Sequence, residues 1–279
     1  MSSSLSLDCS IHGNLTELHL PLKFSHQRIV IGILYLFVYF PNVFAQLLCF
    51  IAICHKKHLQ YSCYKLMSIV SCLDILNLTM CVLMPAIFSL ASITHCEHAK
   101  AVYALTTVLY LLWYAYCAAT VFLALNRCLE FASGSIARIL FADRRAWFWL
   151  PAICLYAVTV EFTSYNAYYI YIPDGGKFNL QTVNDPPRDW NHIFNNIFKF
   201  VTVSVLYGVM WTLMKMKTKA VHNPFMSSME KQLAIQALLV SVFAGFATVG
   251  YIIVENLPND TIPFEGVLGT LLWASVHSE

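Results

Sequence analysis

The sequence predicts an all-α membrane protein: a bundle of apolar helices with a short last member. Three observations predict it. Hydrophobic residues make up 58% of the chain and charged residues 11%, with a mean hydropathy of +0.62. A soluble domain carries roughly 25% charged residues, and this chain has too little polar material to cover a soluble surface. Second, the chain holds successive apolar runs that reach the roughly 20 residues needed to cross hydrocarbon. Third, the basic residues gather in alternate connections between those runs.

Residues 1–28 read as an extracellular tail, and 29–279 as one membrane domain with small loops. The tail lacks the basic-then-apolar order of a cleaved signal peptide, so the first run serves as the insertion signal. That run is 29–54, with Pro41 inside; neighbouring helices can re-satisfy the carbonyl that a proline frees. The second is 66–93 and contains Asp74 and Pro85, and the third is 101–127. The fourth, 146–170, opens on Trp147 and Trp149 and closes on Tyr168 and Tyr169, as rings do at two membrane interfaces. A loop rich in Pro and Gly follows. The fifth run is 192–214 and the sixth 233–256. The seventh, 266–279, is too short to span and reads as a partial helix, or else the bundle has six members.

With the N-terminus outside, eleven of the seventeen Lys and Arg residues fall in connections facing the cytoplasm, as the positive-inside rule requires. The acceptor tripeptides at Asn14 and Asn259 then face outside and read as glycosylation sites, whereas the one at Asn77 falls within a helix. A net charge of +2 gives no case for nucleic acid. Six of the ten cysteines lie in apolar runs as small hydrophobes, and no CxxC spacing supports zinc or redox chemistry.

Polar groups inside the runs are the candidate functional residues, because they are costly in hydrocarbon and face the bundle interior. Asp74 with Asn77, three residues on, forms a polar node. It reads as an ion-linked switch, as a packing cluster, or as a proton path. Glu161 and Lys199 are candidates to line an outward cavity, with Lys199 snorkelling to the headgroups as its alternative. Tyr110, Trp113 and Tyr114, spaced i, i+3, i+4, share one helix face. With Tyr165 and Tyr168 they form a candidate ligand pocket, against the alternative of plain packing.

The stretch CAATVFLALNRCLEF ends a greasy run on Asn126 and Arg127. An arginine there reaches headgroups, or else ties the inner helix ends together until a ligand biases them apart. Glu130, three residues on, is placed to share its charge.

At these residues the chain resembles the nematode serpentine chemoreceptors, class T, within the rhodopsin-like seven-transmembrane G-protein-coupled receptors. The matching stretches are YKLMSIVSCLDILNLT (64–79), FLALNRCLEF (122–131), LFADRRAWFWL (140–150), HNPFMSSMEKQLAIQALL (222–239) and WASVHSE (273–279). The resemblance covers about 60–279. It implies ligand sensing, coupling to a heterotrimeric G protein, and residence in the plasma or ciliary membrane of sensory neurons. The acid-Arg-Tyr triplet of such receptors is Asn126-Arg127-Cys128 in this chain, so the arginine carries over and the acid and tyrosine do not. Asp74 matches the second-helix acid that often binds sodium. The usual sixth-helix Cys-Trp-x-Pro is absent, the stretch reading AGFATVGYI. The superfamily disulfide implies a role for Cys96; the loop at 170–191 has no cysteine, so Cys96 is free or pairs with Cys9.

The reading is therefore a chemosensory receptor without catalysis, binding a small molecule and a G protein and surrounded by lipid. The alternatives are a transporter or channel, for which neither inverted repeats nor a pore-lining segment is evident, and a truncated receptor that does not signal. A membrane enzyme is disfavoured because the histidines form no metal pattern.

Overall fold

The computed structural model describes residues 23–93, 95–163, 167–173, 175–182, 189–220, 242, 245–247, 249–250, 253–254 and 264–277. Helix α1 (Lys23–Ile53) runs through Pro41 without interruption. Its inward residues Ile31, Tyr35, Tyr39 and Gln46 form one stripe, while Phe37, Phe44 and Ile51 stand exposed opposite. In a bundle surrounded by lipid, that exposed face needs no cover.

Helix α2 (Ser62–Leu78) passes into a π turn (Thr79–Leu83) and then α3 (Met84–Leu90). Pro85 explains the wide turn: it has no N–H for the regular i−4 bond and its ring crowds that carbonyl. The three segments form one apolar span, Ser62–Leu90. Helix α4 (His95–Ala132) is the longest at 38 residues, bent at His98. Helix α5 (Gly134–Phe141) and a 3-10 turn (Asp143–Phe148) lead into α6 (Trp149–Thr163). Asp143 has φ +52, and its carbonyl accepts from Lys65 Nζ at 2.6 Å, tying this turn to α2.

Strands β1 (Ala167–Ile172) and β2 (Lys177–Thr182) pair antiparallel, Ala167 opposite Thr182 and Ile172 opposite Lys177. This corrects the expected fourth helix, which stops at Thr163 and not at 170. Tyr168, Tyr169 and Tyr171 belong to a hairpin, because AYYIYI is a β-branched and aromatic run with strand preference. Helix α7 (Trp190–Ala220) and α8 (Glu265–Val276) complete the described elements. Among the described residues, five helical segments are long and apolar enough to cross a membrane.

The hairpin caps one end of the bundle. Tyr35 OH donates to Gly176 O at 2.5 Å, Thr270 Oγ1 donates to the same carbonyl, and Lys177 Nζ pairs with Glu265 at 3.1 Å. Tyr171 OH lies 2.7 Å from Ser89 Oγ and 3.1 Å from Pro85 O. Burial raises the Tyr171 hydroxyl's pKa, so it remains a donor. Gly176 has φ +62, and a Cβ there would meet Ile31 and Tyr35 at 2.9 Å; only glycine fits both the turn and the contact.

Candidate functional site

Polar and aromatic side chains collect midway along α4, beneath the hairpin. Tyr110, Trp113, Tyr114 and Tyr116 all project inward and are at most 5% exposed. Their partners come from three other elements. Tyr110 stacks on Tyr169 of β1 with centroids 4.2 Å apart, and meets His192 edge-on at 5.3 Å. Trp113 packs edge-on to Trp273 of α8 at 5.1 Å. Tyr114 lies 6.3 Å from Tyr110 and 6.5 Å from His192.

A hydrogen-bonded chain runs through these rings. Trp113 Nε1 donates to Asn196 Oδ1 at 2.9 Å, and Asn196 Nδ2 donates to His192 Nε2 at 3.0 Å. The His192 backbone N–H donates to Asp189 Oδ1, whose other oxygen accepts from Tyr169 OH at 3.3 Å. Next to it, Asn195 Oδ1 accepts from Tyr156 OH at 2.8 Å. His192, Asn195, Asn196 and Lys199 are spaced i, i+3, i+4, i+7, which puts them on one face of α7. Lys199 is 6% exposed, with Nζ 4.8 Å from the Trp113 ring and 4.4 Å from the Tyr116 ring.

One layer deeper, Asp74 Oδ1 lies 2.8 Å from Nδ1 of His277, which is fully buried. Gln46 Nε2 holds the His277 carbonyl at 2.9 Å, and Tyr116 OH donates to Val276 O. The node thus ties α1, α2, α4 and α8 together. Asn77, expected as its second member, bonds backbone carbonyls of Leu73 and Leu112. It fastens α2 to α4 and makes no bond to Asp74.

The far end of α4 carries the Asn-Arg-Cys triplet. Asn126 is fully buried and donates to Ser62 Oγ at 3.3 Å, and Ser62 donates to Glu130 at 3.2 Å. Arg127 Nη2 reaches Met67 Sδ at 3.4 Å, a weak acceptor. Arg127 and Glu130 make no ion pair within 4 Å: Glu130 accepts from the Ser62 hydroxyl, and the guanidinium's charge acts on its carboxylate across space. Cys128 is buried with Ala124, Tyr207, Met210 and Met214, sealing α4 to α7.

Of the predicted pocket residues, the structure brings together Tyr110, Trp113, Tyr114 and Lys199. Glu161 stands apart, half-buried on α6, with no hydrogen bond or ion pair among the described residues. Tyr168 is in β1 and not on the fourth helix; its side chain lies outside the described residues, as does that of Cys96. Tyr165, Cys9, Asn14 and Asn259 lie outside them altogether. Sequence reasoning missed His192, Asn195, Asn196, Tyr116, Trp273 and His277. The first three were detectable as a polar stripe ending on Lys199; the last two carry no local signal, since their partners lie on other elements far away in the chain.

The model of the serpentine type 7TM GPCR chemoreceptor Srt family matches residues 5–278. The chain belongs to that family. Squid rhodopsin has a similar structure, with a TM-score of 0.68 at 11% identity over 91% of this chain and 79% of that one. Identity that low speaks to fold alone, and the fold is the rhodopsin-like seven-helix bundle. No curated protein sequence matches the chain. This Srt-family member is a serpentine receptor and a multi-pass membrane protein, in a family and fold of receptors and not of enzymes.

Proposed function

We propose that this receptor binds a small molecule in the ring cluster beneath the hairpin and passes the event along α4 to a heterotrimeric G protein at Asn126, Arg127 and Cys128. One observation carries the reading. The same unbroken stretch of α4 bears both the rings and Arg127, 14 residues apart in sequence, or about 21 Å at 1.5 Å per residue. A ligand that shifts Trp113 against α7 and α8 moves the helix whose other end holds Arg127. The hairpin end faces outside, in keeping with an outer N-terminus and the bias of basic residues. The membrane is the plasma or ciliary membrane of a sensory cell.

Sodium at Asp74 belongs to the same proposal. The buried Ser71 Oγ has no partner among the described residues and stands one turn before Asp74, so oxygen donors of the right kind are at hand. An ion using Asp74 Oδ1 would have to displace His277 Nδ1.

The test expresses the full chain with surface labelling and reads nucleotide exchange on added G protein against volatile and soluble compounds. Ligand-dependent exchange, lost in Arg127→Ala at equal surface delivery, is expected. Normal exchange by that variant removes the coupling assignment.

A further inference from the structure

We propose that helix α5 and the turn after it form a binding surface for anionic phospholipid of the inner leaflet. Ile136, Ile139 and Phe148 enter the acyl layer, and Arg138, Arg144 and Arg145 take the headgroup phosphates. The inference goes beyond the ring cluster and needs neither its ligand nor the G protein. Only the choice of leaflet rests on the preceding reading of an outer N-terminus.

The short helix GSIARILF carries more apolar surface than the bundle covers. At about 100° per residue its apolar side chains sweep an arc of about 200°, from Ile139 through Ile136 and Leu140 to Ala137 and Phe141. Ala137 and Phe141 are buried. Phe141 lies 5.6 Å from the Trp149 ring, which packs on Phe122 of α4 at 4.4 Å, and Trp149 Nε1 donates to Leu140 O at 3.2 Å. That half of the arc fixes α5 to the bundle. The other half is bare: Ile139 is 64% exposed and Ile136 is 47%. Gly134, Ser135 and Arg138 fill the polar arc that remains.

The bare half continues a face that meets lipid. Arg145 Nη1 donates to Ile139 O at 2.7 Å, which holds the turn against α5. Trp147 and Phe148 follow and are exposed, as are Leu155 and Phe162 farther along the same apolar span, Asp143–Thr163. An interfacial helix with such a face lies in the membrane plane, its apolar side chains at the acyl boundary and its arginines at the headgroups.

Charge decides which lipid. Arg138, Arg144 and Arg145 are exposed, against the one acid Asp143 in the same stretch. Arg138 Nε donates to Gly134 O at 3.3 Å and Arg145 spends one nitrogen on Ile139 O, leaving each its other guanidinium N–H groups. Arg144 makes no hydrogen bond or ion pair among the described residues. Guanidinium groups match phosphate oxygens in pairs, and a basic residue beside an anionic leaflet is worth about fivefold in affinity. A zwitterionic headgroup brings its own cation to the same arginines. A docked protein is the other occupant for such an arc, but the arc runs on into the lipid face of α6, and lipid is present before any partner arrives.

Two measurements on the purified full chain test this. In neutral detergent, native mass spectrometry reads the affinity of the first bound phosphatidylserine and of phosphatidylcholine. Phosphatidylserine should bind about 25-fold tighter, from the net two positive charges. Arg144→Gln should cut that preference about fivefold, and Arg138→Gln with Arg144→Gln should bring the two lipids to parity. Arg144→Lys should keep most of it. Lys56→Gln with Lys57→Gln, an equal loss of charge in the first inner connection, should leave it in place. In nanodiscs of equimolar phosphatidylserine and phosphatidylcholine, a benzophenone amino acid in place of Ile139 should photo-crosslink to phospholipid, scored as added lipid mass, with or without G protein present. Equal affinities for the two lipids overturn the proposal. So does a preference that survives in the well-folded arginine pair, or one that falls as far in the lysine pair. No lipid adduct at position 139, or an adduct with G protein alone, also overturns it. If the arginine pair melts early, the crosslink carries the test. Detergent and nanodiscs present both faces of the receptor alike, so these results do not depend on its orientation. An amino-terminal tag labelled on intact cells scores the orientation, and with it the leaflet, separately.

Discussion

The two ends of α4 are built differently. Around Trp113 the rings of α4, β1, α7 and α8 interlock, and side-chain hydrogen bonds of 2.8–2.9 Å span the elements. Around Arg127 the ties between α4 and α2 are two bonds of 3.2–3.3 Å through one serine and a 3.4 Å contact with a thioether. Large buried rings tied by short bonds across elements make a firm assembly. Long bonds and a sulfur acceptor make one that opens at small cost. A receptor needs that contrast: a part that registers the ligand as a unit, and a part whose links can be exchanged for those of a partner.

Five substitutions break or sharpen the comparison. Trp113→Ala should be the most damaging, costing about 3–5 kcal/mol as a buried-ring deletion and orphaning Asn196 Oδ1; thermal unfolding in nanodiscs measures it. His277→Ala comes next, at about 3 kcal/mol, because it strips a buried carboxylate of its partner. The same unfolding assay applies, and Asp74→Asn should recover much of the loss when combined with it. Asp74→Asn alone should also abolish any effect of sodium on ligand affinity, measured by replacing sodium with choline in the binding buffer. Arg127→Ala should change unfolding by less than about 1 kcal/mol, consistent with its weak sulfur contact, while nucleotide exchange disappears. Ser62→Ala should be the mildest, under about 1 kcal/mol, and should raise exchange without ligand by loosening Asn126 and Glu130. If Ser62→Ala or Arg127→Ala proves as destabilising as Trp113→Ala, the contrast between the two ends is wrong.

The sequence read alone carried much of this. Composition and run length marked the spans, because hydrocarbon imposes them regardless of tertiary detail. The spacing of Tyr110, Trp113 and Tyr114 marked an inward face, and the cost of a buried charge singled out Asp74 and Lys199. What escaped had two physical causes. Tyr168, Tyr169 and Tyr171 satisfy two rules at once, interfacial ring belt and strand preference; helix length alone could not decide between them. His277 and Trp273 acquire their roles from contacts with α2 and α4, more than 150 residues earlier, and no local pattern encodes such a pairing. Arg127 and Glu130 show what spacing leaves open: i, i+3 lets the two charges feel each other, but Ser62 from α2 takes the hydrogen bond to the carboxylate.

The widened turn at Thr79–Leu83 sets the rotational phase of everything after it. A π turn inserts one residue, swinging the following side chains by about 100° relative to an unbroken α-helix. Phe88 and Ser89 meet Tyr171 because of that swing. Deleting one residue from 79–83 would restore a regular screw and rotate both away from the β-hairpin, detaching the roof from the wall that α3 supplies.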